Sequence, residues 1–209
     1  VQEVAGLGAD AIKLSVDRIP EDAPRIGNEA IDAAVDEARR RGLRAVAHIG
    51  STRDALDAGK AGASMWMHGV YKERIPDEQI AQLAAFKIPM VVTVEVFDSY
   101  ARLGQGPRVP SSLEKQTVAP DVLEAFNDVP DDPRNEYFRP FLENLRAARP
   151  AWRENIQRLR AAGVTILAGS DTQSGVFPGP GLHRELDQLV AAGLTPAEAL
   201  RAATLDAAR

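Results

Sequence analysis

The sequence predicts an α/β fold, a TIM-type (β/α) barrel present in part, and three observations predict it. Short apolar runs near 10–15, 44–48, 63–67, 89–96 and 164–168 alternate with stretches of helical periodicity, which is the order of a parallel sheet joined by crossover helices. Runs such as Pro89-Met90-Val91-Val92 are apolar on both alternating faces, as strands covered on both sides are. Four runs also end in or lead to a residue able to bind a metal or move a proton: Lys13, His48, His68 and Asp171. A β/α barrel collects its chemistry at the carboxyl ends of its strands, so this series reads as spokes of one site that works on a metal.

Each element follows from local signals. Ala5-Gly6-Leu7-Gly8-Ala9-Asp10 reads as a helix end and a turn into the 10–15 strand. Ile31, Val35 and Ala38 recur at helical spacing and stop at Gly42. After the 44–48 run, Ser51-Thr52-Arg53-Asp54 fits a capping box that opens a helix to about Ala58. Pro76-Asp77-Glu78 precedes a helix marked by Ile80, Leu83 and Ala84, and a strand is expected over 89–96. Trp152, Ile156 and Leu159 mark a helix ended by Gly163, ahead of the 164–168 run. Leu182, Leu186 and Leu189 mark the next helix. Thr195-Pro196-Ala197-Glu198 then combines a Thr cap, a Pro in the first turn and a Glu three residues after the cap.

Residues 98–150 break this rhythm. They hold seven of the fourteen prolines, and six of the nine Phe and Tyr residues lie between Phe97 and Phe141. The stretch reads as an irregular helical insertion, either a substrate-facing excursion or a surface subdomain packed on itself.

Composition narrows the function classes. The 209 residues are 44% apolar and 26% charged, ordinary for a globular domain. A net charge of -5 argues against a nucleic-acid partner, which wants a basic face. No apolar stretch has the length of a membrane span. Without cysteine, a transition metal would have to be held by His and carboxylate. The chain begins at Val1 and stops at Arg209 with both ends reading as cut, so the compartment stays undetermined, cytoplasmic or exported.

Each candidate residue has a plainer role open to it. A single histidine after an apolar run is commonly a structural hydrogen-bonder. His48 and His68 are two of only three histidines and stand at matching strand ends, which favours ligands. Lys13 could snorkel or pair with an acid. Asp171 in Gly169-Ser170-Asp171-Thr172 could cap a turn. His183 opens a helix and has either a substrate-facing or a helix-end role. Tyr71 and Lys72, just past His68, could meet substrate or lie in a solvated loop. Glu95 is left outside the metal set as an exposed or salt-bridged residue.

The order of these residues resembles the amidohydrolase superfamily, in particular its imidazolonepropionase-like and prolidase-like branches. The matching segments are Gly8 to Lys13, Val46-Ala47-His48, Met67-His68-Gly69 and Ala168 to Thr172. The tail from Gly181 through Ala192-Gly193-Leu194-Thr195-Pro196 to Thr204 matches as well. The resemblance implies that the chain carries about strands 4 to 8 of an eight-stranded barrel, with the insertion after strand 7. It implies a carbamate formed from CO₂ on Lys13 that bridges two divalent metals, Zn with Mn or Co as alternatives. His48 and His68 would bind one metal, and Asp171 the other, with Asp171 also acting as the base. The amine of Lys13 must be neutral to react with CO₂, and burial would favour that form.

The expected activity is hydrolysis of an amide or cyclic amide C–N bond in a small molecule or short peptide, by hydroxide activated at a dinuclear site. A dipeptidase acting on Xaa-Pro peptides is one version. A metal-dependent esterase or phosphotriesterase, or a non-catalytic barrel fragment, are the alternatives, and a homo-oligomer is possible. The family's strand-1 His-x-His pair does not occur in 1–209, so these residues alone are expected to be inactive.

Overall fold

The structure is a computed structural model that describes residues 1–126, 133–173 and 175–209, with the side chains of 133–135 left aside. The chain runs α1 (Gln2–Gly6), β1 (Ala11–Ser15), α2 (Asn28–Arg40), β2 (Arg44–His48), α3 (Thr52–Ala61), β3 (Met65–Met67), α4 (Asp77–Ala85) and β4 (Met90–Val91). It continues through α5 (Val94–Arg102), α6 (Ser112–Thr117), α7 (Pro120–Ala125), α8 (Pro133–Ala161), β5 (Ile166–Leu167), α9 (Pro180–Ala191) and α10 (Pro196–Ala202).

All five strands are parallel, and each pairs with its neighbour in sequence, β1-β2-β3-β4-β5. A sheet that advances without reversing has no topological switch point and is of the β/α-barrel class rather than doubly wound. Because the connections are crossovers, all carboxyl ends point the same way.

The two faces of the sheet differ. Ile12, Ala45, Ala47, Trp66 and Met90 are buried, together with Ile31, Val35 and Ala38 of α2 and Ala55 and Ala58 of α3. Val46, His48, Met65, Met67 and Val91 alternate onto the other face and are only half-buried, and Lys13 is exposed there. Burial on both faces, expected from the apolar alternation, is thus complete on the helix side only. Burial of Lys13, invoked for its chemistry, is absent here because no described element covers that face at β1.

The local signals act as their chemistry dictates. Ser51 and Asp54 form a reciprocal capping box on α3, and Thr195 and Glu198 form one on α10. Gly42 and Gly163 have φ of 72° and 93°, a conformation open to glycine without penalty, and each ends a helix. The helix marked by Trp152, Ile156 and Leu159 is the last part of the 29-residue α8, which carries Pro140 and Pro150 within it.

One element departs from expectation. The apolar run 89–96 is a strand only at Met90–Val91; Thr93 turns into the left-handed region at φ 44°, and Val94 starts α5. The β-branched residues Val94 and Val96 favour extension locally, but a tertiary contact decides. The buried side-chain oxygens of Glu185 on α9 accept from the backbone N–H of Val94 at 3.0 Å and of Glu95 at 2.8 Å. They cap a helix start that is buried and has no cap of its own.

Candidate functional site

The sequence-predicted residues lie along the carboxyl edge of the sheet, at three levels. Lys13 is mid-strand in β1, paired in register with Val46, whereas Ser15 is level with His48. His48 is the last residue of β2, and His68 the first after β3. Asp171 lies four residues beyond β5. His68, Thr93 and Asp171 have φ of 73°, 44° and 44°, three of the four non-glycine residues in the left-handed region among the described residues. Such strain costs about 1–3 kcal/mol per residue and gathers at functional sites.

The fold brings His48, His68 and Asp171 together. The two imidazole centroids are 4.1 Å apart with an interplanar angle of 62°. His68 Nδ1 is 4.0 Å from Asp171 Oδ2 and 2.6 Å from Thr93 Oγ1. Phe97 meets the His68 ring edge-on at 5.3 Å. Burial, aided by the charges of His48 and Lys13, holds the His68 pKa down to about 3. That imidazole is therefore neutral at physiological pH, the form that binds a metal. Asp171 is more open, with its side chain 36% exposed and Oδ2 accepting from Gln173 Nε2 at 3.0 Å.

Among the described residues, Lys13 is joined to this group only by its field at His68. Among the described residues no hydrogen bond or ion pair ties His183, exposed on α9, to the histidine pair. Tyr71 is not solvated. It is buried, stacked on Phe97 at 3.6 Å, and donates its hydroxyl to Asp17 Oδ2. Lys72 Nζ pairs with Asp17 Oδ1 at 2.8 Å and Glu21 at 3.2 Å. Glu95 is salt-bridged and buried, 2.8 Å from Arg102.

Two participants escaped the sequence reading. Thr93 holds His68, but it lay inside an expected strand. Asp17, two residues past β1, is buried and stands 3.6 Å from His48 Nε2.

Burial raises the Asp17 pKa, but contacts from His48, Lys72 and Tyr71 outweigh it and hold the carboxyl below its usual value. Side chains of α8 pin the loop between β3 and α4, Trp152 and Asn155 among them. Trp152 Nε1 donates to Tyr71 O at 2.6 Å. Asn155 Nδ2 donates to Val70 O at 3.0 Å and Glu73 O at 2.8 Å, and its Oδ1 accepts from Ile75 N at 3.0 Å.

Among the described residues no group of three or more His, Cys, Asp or Glu is gathered as a metal site. The donor types nevertheless suit a divalent ion: two adjacent imidazoles, one held neutral, and a nearby carboxylate. Among the described residues, His48 Nε2 is buried with no hydrogen-bond partner, an unsatisfied polar atom of the kind found at functional sites. The set fits in kind and falls short in number.

Comparison with known proteins gives the family and the fold. The model of the amidohydrolase family matches residues 3–209. The chain belongs to the amidohydrolase family. Its fold is shared with the crystal structure of A. niger ochratoxinase (24% identity, TM-score 0.68, 99% of this chain and 41% of that one). A Xaa-Pro dipeptidase with bound methionine in its active site is similar at 21% identity and TM-score 0.70, over 100% of this chain and 45% of that one. A putative prolidase from Bifidobacterium longum is similar at 25% identity and TM-score 0.70, over 99% and 46%. This amidohydrolase chain thus spans less than half the length of these structures. No curated protein matches it. Among the described residues, no helix is long and apolar enough to cross a membrane.

Proposed function

We propose that this chain is the part of a metal-dependent amidohydrolase that carries about strands 4 to 8 of a β/α barrel, with 98–150 as an insertion after strand 7. The parent enzyme would hydrolyse an amide or cyclic amide C–N bond in a small or short-peptide substrate, of prolidase-like type. One observation carries this reading: two adjacent imidazoles at the ends of neighbouring parallel strands, 4.1 Å apart, with a carboxylate 4.0 Å from one of them. Family membership and the dipeptidase and prolidase among similar structures support it.

His48 and His68 would hold a divalent cation, Zn²⁺ or a similar ion, and Asp171 and a carbamate on Lys13 would serve a pair of such ions. Bound cations would polarise the substrate carbonyl and acidify a water. Asp171, the most open of the three clustered groups, takes the proton of the attacking water as the C–O bond forms. It returns that proton to the leaving nitrogen as the C–N bond breaks. Lys13 would gain its carbamate by losing two protons to solvent, one from its ammonium and one as its nitrogen bonds to CO₂, a step favoured once further elements cover its face. The half-covered face and the small number of ligands support a second expectation, that residues 1–209 alone are inactive.

The test is Asp171→Asn in the full-length polypeptide. Turnover of a Xaa-Pro dipeptide should fall by at least about 10²-fold, the scale of general-base catalysis, with about two metals per chain retained. Near-normal turnover would remove Asp171 from the base role. Purified wild-type protein without metal, and not activated by Zn²⁺, Mn²⁺ or Co²⁺, would remove the metallohydrolase reading.

A further inference from the structure

The buried carboxylate of Asp17 has no part in the reaction described above, yet the fold holds it firmly beside His48. The backbone N–H groups of Val16 and Asp17 both donate to His48 O, at 3.0 and 3.3 Å. Oδ1 accepts from Arg18 N at 2.7 Å and pairs with Lys72 Nζ at 2.8 Å. Oδ2 accepts from the Tyr71 hydroxyl. Lys72 is held in turn, donating to Arg18 O at 2.7 Å. A Cβ at position 50 would collide with this carboxylate, so Gly50 keeps the space for it. The free side of Oδ2 faces His48 Nε2 at 3.6 Å, and that nitrogen is buried with no other partner among the described residues.

We propose that Asp17 is a positioning residue that fixes the proton of His48 on Nε2, so that Nδ1 is the nitrogen offered to a metal. The inference rests on the metal-binding reading of His48 and adds the residue that orients it. A carboxylate is the acceptor best suited to a ring N–H, and aligning a ligand imidazole in this way is worth roughly 10–100-fold in metal affinity. The 3.6 Å separation closes to a hydrogen bond with a shift of about 0.6 Å.

Asp17 is poorly placed to be a ligand itself, because Tyr71, Lys72 and Arg18 N already use it and the Lys72 ammonium would oppose a cation there. His68 shows the complementary arrangement. Its Nδ1 meets Thr93 Oγ1 at 2.6 Å; with the ring proton on Nδ1 and donated to that oxygen, Nε2 would be left for a ligand, the nitrogen opposite to the one His48 would offer.

The experiment compares wild-type full-length protein with Asp17→Asn and Tyr71→Phe. Zn²⁺ affinity is measured by competition with a chromophoric chelator, and the His48 tautomer by ¹⁵N NMR of the metal-free protein near pH 7.5. Wild type should carry the His48 proton on Nε2. Asp17→Asn should lose that preference and bind Zn²⁺ about 10–100-fold more weakly. Tyr71→Phe keeps the carboxylate and should keep the tautomer.

A wild-type His48 protonated on Nδ1 overturns the inference even if Asp17→Asn fails to fold. Equal Zn²⁺ affinity in wild type and Asp17→Asn, or weaker binding with the tautomer unmoved, overturns it and leaves the metal reading standing. A wild-type protein that binds no Zn²⁺ overturns both.

Discussion

Glu185 should give the protein an alkaline limb of instability that a single substitution removes. Its side chain is fully buried, and both carboxylate oxygens accept backbone N–H groups at the start of α5. Burial pushes its pKa up from 4.5 to about 8, against those two hydrogen bonds and with help from the charge of Glu95. A folded-state pKa above the unfolded one gives stability that is complete below pH 4.5 and lost as pH rises towards about 8. His68 acts with the opposite sign. Its pKa is lowered from 6.5 to about 3, so stability rises with pH across that interval.

The two slopes oppose each other between pH 4.5 and 6.5, and only the Glu185 slope remains above 6.5. That leaves 8 − 6.5 = 1.5 pH units, or about 2 kcal/mol at about 1.36 kcal/mol per unit. Denaturant unfolding of chelator-treated protein at pH 6.5 and 8 should show this fall. Glu185→Gln should abolish it, while costing about 1–3 kcal/mol at pH 6.5 because an amide NH₂ then faces a backbone N–H, a deficit that the wild-type fall narrows by pH 8. The reasoning fails if the Gln variant loses the same 2 kcal/mol, or if wild type shows no fall.

Two further outcomes follow from buried polar groups away from the histidines. Glu114 is fully buried between Arg184, with contacts of 2.9 and 2.6 Å, and Arg108; these partners and the Ser111 N–H overcome burial and hold its pKa near 2. Its contribution is present above pH 4.5 and lost as pH falls through about 2, so Glu114→Gln should cost about 3 kcal/mol at neutral pH and soften the acid transition; an unchanged unfolding free energy and acid midpoint would refute this. Asn155→Ala removes three hydrogen bonds from the β3–α4 loop and should cost about 2–4 kcal/mol. Hydrogen exchange at Ile75 should accelerate with it, and unchanged protection there would show that the loop is held by other contacts.

Much of the sheet was legible because its signals are local. The runs at 10–15, 44–48 and 63–67 contain β1, β2 and β3, and the caps at Ser51 and Thr195 act within three residues of themselves. The ends of those runs also gave the clustered pair His48 and His68, with Asp171 beside it. The misread segment, 94–96, failed for a definable reason. Its helix start is capped by a carboxylate about 90 residues away, and no window around Val94 contains that information. Asp17 was hidden in the same way, since its partners His48, Tyr71 and Lys72 are distant in sequence. Tyr71 reads from sequence as a loop residue that meets substrate or solvent, but Trp152 and Asn155 of α8 pin that loop and draw it into the core.

These long-range contacts form one mechanical line to the candidate site. Glu185 caps α5, and the residue before that helix is Thr93, whose left-handed turn ends the strand path at β4. Thr93 Oγ1 then holds His68 Nδ1 at 2.6 Å. An unsupported threonine at φ 44° would relax towards extension, because a β-branched residue is costly there. The capped start of α5 supplies the restraint that keeps it. Loss of the Glu185 carboxylate should therefore loosen the orientation of His68 as well as lower stability, although Glu185 touches neither histidine. A ¹⁵N spectrum of metal-free Glu185→Gln in which the His68 signals match wild type would show that Thr93 is held by its own packing, and would uncouple the helix cap from the site.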